Sequence, residues 1–379
     1  MKKTLLATAI AGAMAASGAQ AATVYNQDGT KLDIYGNIQL AVASFDEAER
    51  DNVTGELSSE STDSLFDNGS TFGFAAEHVI YDGLTGYLKL EFDDFQADEK
   101  KITGRDTGDQ AYIGLKGNFG DVRLGSYDPL IDDWSQDWIT NNELADVSDS
   151  TTDLGNAFDF LGVDGGDREG DKLTYTSPVF NGLQFALGTQ YKGDGEDVNS
   201  NFKYDSSGRM ERNASFFGGV KYTVGNLQLS AVYDDLETHS VEFGSNDIAD
   251  FDAYSFAANY SMNALRLSFK YERTDIDFMD ESGEIDRYGL GARYGYGPGD
   301  VYLAYQRVEA DDDLAGVVAN PNGFNPVSGQ YEGDDSFNEV LGGVTYNISD
   351  AMYVFGEAGV YDRSGDDGDF IGTGVVYLF

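Results

Sequence analysis

Short segments in which apolar and polar residues alternate recur along the whole chain, and that period of two restricts the fold more than any other feature. Asn263–Glu272 places Leu265, Leu267, Phe269 and Tyr271 on one face and Arg266, Ser268, Lys270 and Glu272 on the other, which is the periodicity of a β-strand. Leu84–Asp93 sets Leu84, Leu88, Leu90 and Phe92 against Thr85, Tyr87, Lys89, Glu91 and Asp93, and Leu183–Tyr191 sets Leu183, Phe185 and Leu187 against Gln184 and Gln190. Sixteen such segments end on Phe379, joined by seven very short turns that alternate with eight long, acidic connections. A soluble sandwich would alternate in the same way, but its apolar faces pack in pairs and its loops are not so regularly long, then short. The layout predicts an all-β, antiparallel transmembrane barrel, apolar toward lipid and polar toward a wet interior.

The first two strands are expected at Thr30–Phe45 and Ser70–Tyr81 and the last at Gly368–Phe379. Asp82-Gly83, Asn181-Gly182 and Gly297-Pro298-Gly299 supply the chemistry of tight periplasmic turns. Residues 128–170 form the longest connection, and a loop of that length is seldom idle in a compact fold. It holds both tryptophans, Trp134 and Trp138, and many acids, among them Asp132, Asp133, Asp164 and Asp167. Composition gives equal weight to a loop folded into the barrel and to a solvated surface loop.

Residues 1–21 read as a cleaved secretory signal: Lys2 and Lys3, an apolar run Leu5–Ala16, then Ala19-Gln20-Ala21, which leaves 22–379 as the barrel domain. No later segment reaches the roughly 18 consecutive apolar residues of a membrane helix, so any span must be made of strands. Cysteine is absent, which removes disulfide and thiolate chemistry. The net charge of −43, or −45 once Lys2 and Lys3 are removed, excludes nucleic acid as a partner. Disorder is excluded as well, because the chain carries 24 Tyr and 24 Phe. Tyr222, Tyr260, Tyr294, Tyr346 and Phe379 fall beside the short turns, and Phe92, Tyr191, Tyr233, Tyr271 and Tyr305 at the opposite strand ends, as two interfacial girdles would.

The stretch ATVYNQDGTKLDIYGNIQLAV that follows the signal resembles the opening of the trimeric general diffusion porins of Gram-negative outer membranes. GLTGYLKLEF, AYIGLKGNFGDVRLGSYD, DKLTYTSPVFNGLQFALGTQY and the closing GTGVVYLF match that family in order along nearly the whole chain. The resemblance implies a sixteen-stranded barrel, assembled as a homotrimer among lipid and lipopolysaccharide, whose third long loop, 128–170, folds inward as a constriction. It also implies an assembly signal at Gly374, Tyr377 and Phe379, read by the barrel-assembly machinery. Such porins set a ladder of basic residues across from acids on that loop. Here Asn37, Thr71 and Asp109 stand where the family often has Lys or Arg, while Arg168 keeps a basic counterpart. The family's Pro-Glu-Phe-Gly-Gly-Asp loop motif survives only partly, in residues 162–167. A weaker transverse field and a more negative local potential are the expected result.

By periodicity the lumen receives Asp33, Asn37, Gln39, Lys89, Glu91, Asp93, Gln228, Asp234, Arg266, Lys270, Arg287 and Arg293. Such a passage admits ions and small hydrophilic solutes by passive diffusion, and its acids favour cations. A sugar or nucleoside channel is the alternative, in which Trp134, Trp138, Phe158 and Phe160 contribute an aromatic track. Catalysis finds little support: His78 and His239 are the two imidazoles, and neither sits in a recognisable Ser or Asp constellation. No cofactor is expected. Asp311–Asp313 and residues 366–369 lack EF-hand spacing, so no metal site is assigned.

Overall fold

The computed structural model describes residues 22–51, 53–93, 97–98, 108–135, 143–145, 170–191, 214–236, 241–243, 246–278, 281–311, 324–325, 327–328, 330–331 and 336–379. Among these, nineteen strands hydrogen-bond into one closed antiparallel sheet of sixteen staves. In chain order the staves are β1 (Thr30–Arg50), β2 (Leu57–Asp67 and Thr71–Tyr81), β3 (Leu84–Phe92), β4 (Gly108–Gly117), β5 (Gly120–Ser126), β6 (Lys172–Thr176), β7 (Leu183–Tyr191) and β8 (Ala214–Val224). They continue with β9 (Leu227–Asp235), β10 (Asn246–Met262), β11 (Leu265–Phe278), β12 (Glu281–Gly295), β13 (Asp300–Ala310), β14 (Ser336–Ser349), β15 (Met352–Tyr361) and β16 (Phe370–Leu378). A short helix, α1 (Leu130–Ser135), follows β5.

The sheet closes where its first and last staves meet. β16 pairs with β1 from Phe45↔Phe370 to Asn37↔Leu378. Gly36 and Phe379 then exchange backbone hydrogen bonds of 3.1 and 3.0 Å. Beyond them Ala22–Gln27 takes over the ladder, from Ala22↔Ile34 to Gln27↔Thr30. The two ends of the strand-forming chain thus lie end to end and complete one stave. Closure joins the first stave to the last, as β-structure in a bilayer requires.

The faces are inverted relative to a soluble protein. Leu290, Leu303 and Ile371 are 53, 57 and 66% exposed on the outer surface, whereas Arg287, Lys270 and Glu272 are 1, 2 and 3% exposed inside. Tyr222, Tyr260, Tyr294 and Tyr346 stand outward beside the short turns, and Tyr233 packs on Tyr254 and Tyr271 on Tyr288 near the opposite ends, so both expected girdles are present. Asn181 and Gly182, with φ of 52° and 91°, both adopt the left-handed region that a two-residue hairpin demands.

Two strands lie outside the alternation. Leu57–Asp67 extends β2 upward along β1, from Arg50↔Leu57 to Leu40↔Asp67. Its LSSESTDSLFD sequence is exposed on both faces over most of its length, so neither face carries the apolar residues that mark a lipid contact. Ala22–Gln27 is six residues long and is defined by the seam rather than by its own pattern.

Inward aromatic rings lie flat on glycines of the adjacent strand: Tyr35 on Gly73, Tyr87 on Gly114, Tyr302 on Gly343 and Phe355 on Gly374. Each glycine leaves the space that a Cβ would fill, and the ring follows the wall instead of crossing the lumen.

Candidate functional site in the barrel lumen

The chain leaves β5 at Ser126 and turns into α1, whose Leu130, Ile131 and Trp134 are buried. The helix packs on β8, β9 and β10. The Ser230 hydroxyl donates to the Trp134 carbonyl. The Lys221 ammonium stands 4.4 Å from the centre of the indole. Gly219 admits the ring, since a Cβ there would lie 3.2 Å from Trp134 Cε3.

The second described piece of this loop, 143–145, is held at another part of the wall. The Glu357 carboxylate on β15 accepts the backbone N–H groups of Glu143, Leu144 and Ala145 at 2.9, 2.9 and 3.2 Å, and the Tyr302 hydroxyl also donates to it. Tyr353 donates to Glu143 Oε2 at 3.0 Å, and the Asn68 amide donates to the Glu143 carbonyl. Leu144 fills an inward apolar patch made by Phe45, Phe66, Phe355 and Phe370. Burial pushes the Glu143 carboxyl up to about 7, with Glu357 adding to the rise and Tyr353 and Arg293 opposing it. Asp133 on α1 is also raised by burial, against the pull of Arg123. Residues 130–135 and 143–145 therefore pack against inward-facing side chains, the first at β8–β10 and the second near β15 and β16.

Of the family's ladder positions, Asn37 and Thr71 are neighbours in register, and the Asn37 amide donates to the Thr71 hydroxyl at 2.8 Å. Asp109 lies on β4, but its side chain, together with Arg168, Asp164, Asp167, Trp138, Phe158, Phe160 and His239, lies outside the described residues. Cations occur instead on other staves. Lys89 on β3 reaches Glu91 at 3.2 Å and Gln110 at 3.0 Å, and Gln110 passes the chain on to Asp128 at 2.8 Å. Arg123 on β5 is 4.8 Å from the ring centres of both Tyr112 and Tyr127, and 3.8 Å from Asp133. Lys172 on β6 donates to the Tyr127 carbonyl and stands 4.8 Å over the same ring. Arg123, Lys172 and Lys221 were not singled out by the motif comparison, although strand parity marks Arg123 as inward, between Val122 and Leu124.

Across the barrel, Glu272 sits between Lys270 and Arg287 at 3.3 and 3.7 Å. Arg287 also donates to Thr274 at 3.2 Å. Arg266 lies 3.4 Å from Asp300, and Arg293 stacks on Tyr302 at 4.4 Å. Asp132 accompanies Asp133 in the first turn of α1. Gly374 lies beneath Phe355, Tyr377 faces outward, and Phe379 forms the seam. His78 has Nδ1 2.7 Å from the Thr30 hydroxyl. Among the described residues no cluster of metal-ligating side chains occurs.

The model of the Gram-negative porin family matches residues 6–366. A "Major outer membrane protein" of Halomonas elongata is 57% identical over 384 residues, covering 100% of both chains. A "Monosaccharide porin" of a Halomonas species is similar to the same degree, 57% over 100% of both chains. Outer membrane porin PhoE of Escherichia coli is 26% identical, covering 83% of this chain and 95% of its own. The fold is similar to that of OmpT of Vibrio cholerae in its trimer form, with a TM-score of 0.62, 17% identity and coverage of 93% of this chain and 100% of that one. A closed, inverted barrel with these relatives leaves one assignment: the chain belongs to the Gram-negative porin family and is a β-barrel channel protein of the outer membrane.

Proposed function

We propose that the chain forms a water-filled channel for passive diffusion of ions and small hydrophilic solutes, that it prefers cations, and that it works as a homotrimer exported by the signal at 1–21. The observation that carries this reading is the pairing of charge on the inner wall. Lys89, Arg123, Arg266 and Lys270 each stand within 4 Å of a carboxylate, at 3.2, 3.8, 3.4 and 3.3 Å. Basic side chains that are already matched give the lumen little net positive potential, while the mature chain keeps its large excess of acids. Neutral Asn37 and Thr71, in place of bases, act in the same direction. The double attachment of 128–145 supports a loop that narrows the passage, with Asp132, Asp133, Asp164, Asp167, Asp109 and Arg168 as its flanking charges. Lys89, Glu91, Arg266, Lys270, Arg287 and Arg293 line the pore in this reading. The trimeric neighbour supports the assembly state.

The name of one relative, "Monosaccharide porin", favours a second reading in which a sugar is the physiological solute. Reconstitution of the mature protein in a planar bilayer separates the two. A reversal potential of cation-selective sign across a KCl gradient, fading at high mean salt as the Debye length falls from about 8 Å at 0.15 M to about 3 Å at 1 M, would establish diffusion biased by dispersed acids. An anion-selective potential at low salt would refute the preference. Conductance that glucose blocks saturably would select the sugar reading.

A further inference from the structure

Beneath α1, on its periplasmic side, the inner wall holds a niche of about 180 Å3. At about 30 Å3 per water it has room for about six waters, the size of one small solute rather than of a polymer. Its floor is made by Arg123 of β5, Thr174 and Thr176 of β6, Gln184 of β7 and Lys221 of β8, and its roof by Asp133 and Trp134 of α1. Resting on the sugar reading of the channel above, we propose that this niche is a solute-binding subsite for one neutral polyhydroxylated molecule of monosaccharide size.

The charge pattern selects that class. Arg123 is held between two tyrosine rings and 3.8 Å from Asp133. Asp121, at the deep end, accepts the Tyr87 hydroxyl at 2.5 Å. Strong donors, the guanidinium and the Lys221 ammonium, thus stand beside strong acceptors, the carboxylates of Asp121, Asp128 and Asp133. An anion entering the niche meets three carboxylates, and a cation meets Arg123 and Lys221. A hydroxyl group both donates and accepts, so a polyol satisfies the two kinds of wall at once and brings no charge to be desolvated. Thr174, Thr176 and Gln184 extend the same chemistry in neutral form. The aromatic faces of Trp134 and Tyr127 are occupied by Lys221, Arg123 and Lys172. Recognition therefore rests on hydrogen bonds rather than on stacking.

The test is single-channel recording of the reconstituted full barrel with D-glucose added to either side. The expected result is a saturable reduction of current in the wild type, reached at lower glucose when the sugar enters from the periplasmic side. Arg123→Gln and Lys221→Gln should each raise the half-blocking concentration about tenfold, the effect of one lost charge-assisted hydrogen bond. Thr176→Val, which alters no charge, should raise it about threefold and serves where a charge variant does not assemble. Current that falls only in proportion to bulk glucose, saturation that none of the three variants shifts, or block by glycine in place of glucose would each overturn the proposal. Absence of any conductance would instead overturn the channel reading on which it rests.

Discussion

Glu357 accepts three backbone N–H groups of the described piece 143–145, and its replacement can be reasoned through in numbers. Oε1 accepts the N–H groups of Leu144 and Ala145, and Oε2 accepts the N–H of Glu143 together with the Tyr302 hydroxyl. Hydrogen bonds to a charged group contribute about 1.5–3 kcal/mol each, and neutral ones about 0.5–1.5 kcal/mol. In Glu357→Gln the amide oxygen keeps two of the four donors, now without charge, while the NH2 group confronts the other two. Only the three N–H groups belong to the loop, since Tyr302 and Glu357 both lie on staves; losing about 1 kcal/mol from a bond that keeps its acceptor and somewhat more from one that loses it gives roughly 3–4 kcal/mol of docking free energy. Even 3 kcal/mol lowers the docked-to-undocked ratio by about 150-fold.

Burial of Leu144 contributes about 2 kcal/mol to docking and survives the substitution, so the loop should exchange rather than leave the wall for good. The barrel ladder of β15 is untouched, because its pairing with β14 and β16 is made by the backbone. Single-channel recording at constant voltage is the assay. The variant should show frequent transitions among conductance levels where the wild type is quiet, and Tyr302→Phe, which removes a single donor, should show fewer. Glu357→Gln channels as quiet as the wild type, with the same conductance, would mean that this carboxylate does not hold the loop.

The Glu143 carboxyl adds a pH term: its docked value is pushed up to about 7 from an ordinary 4.5. A raised acid is stabilised when protonated, so docking is strongest below the ordinary value and weakens as pH climbs through about 7. Current noise measured from pH 5 to 9 should rise on the alkaline side, and Glu143→Gln should remove that dependence. Glu272 pairs with two buried cations; Glu272→Gln would remove the carboxylate they share, costing about 3–5 kcal/mol of stability. It should also move the reversal potential toward anions, measurable in the same KCl gradient. At the seam, deleting Ala22–Gln27 strips the ladder from Thr30 to Ile34. The refolded fraction that resists unheated detergent electrophoresis should fall, and an unchanged fraction would show that β16 closes the barrel unaided.

The barrel was legible because lipid writes a period of two on every stave that touches it: Leu267 and Phe269 point out, and Ser268 and Lys270 point in. Where lipid is absent the pattern vanishes with its cause, as in Leu57–Asp67, which meets water on both faces and was invisible as a strand. The lumen was legible only in part for a related reason. Parity shows that a side chain faces inward, but not which inward residues become neighbours once distant staves curve together. The positions Asn37 and Thr71 come from motif matching, and the register of β1 with β2 makes them neighbours. Other inward bases were not found that way, because Arg123, Lys172 and Lys221 belong to three staves and acquire their setting from Tyr112, Tyr127 and Trp134.

That redistribution has a physical consequence for permeation. A base exposed on an open wall polarises the lumen, whereas a base over an aromatic face is held by the ring quadrupole and, in the case of Arg123, by Asp133 as well. Replacing Tyr127 with Leu would remove the ring shared by Arg123 and Lys172. At roughly 0.5–2 kcal/mol per cation–π contact, both side chains would gain freedom to extend into the lumen. The reversal potential should then shift toward anions although no charge has been added. If Tyr127→Leu leaves selectivity where it was, the rings merely line the wall, and it is the carboxylates alone that hold the inner cations in check.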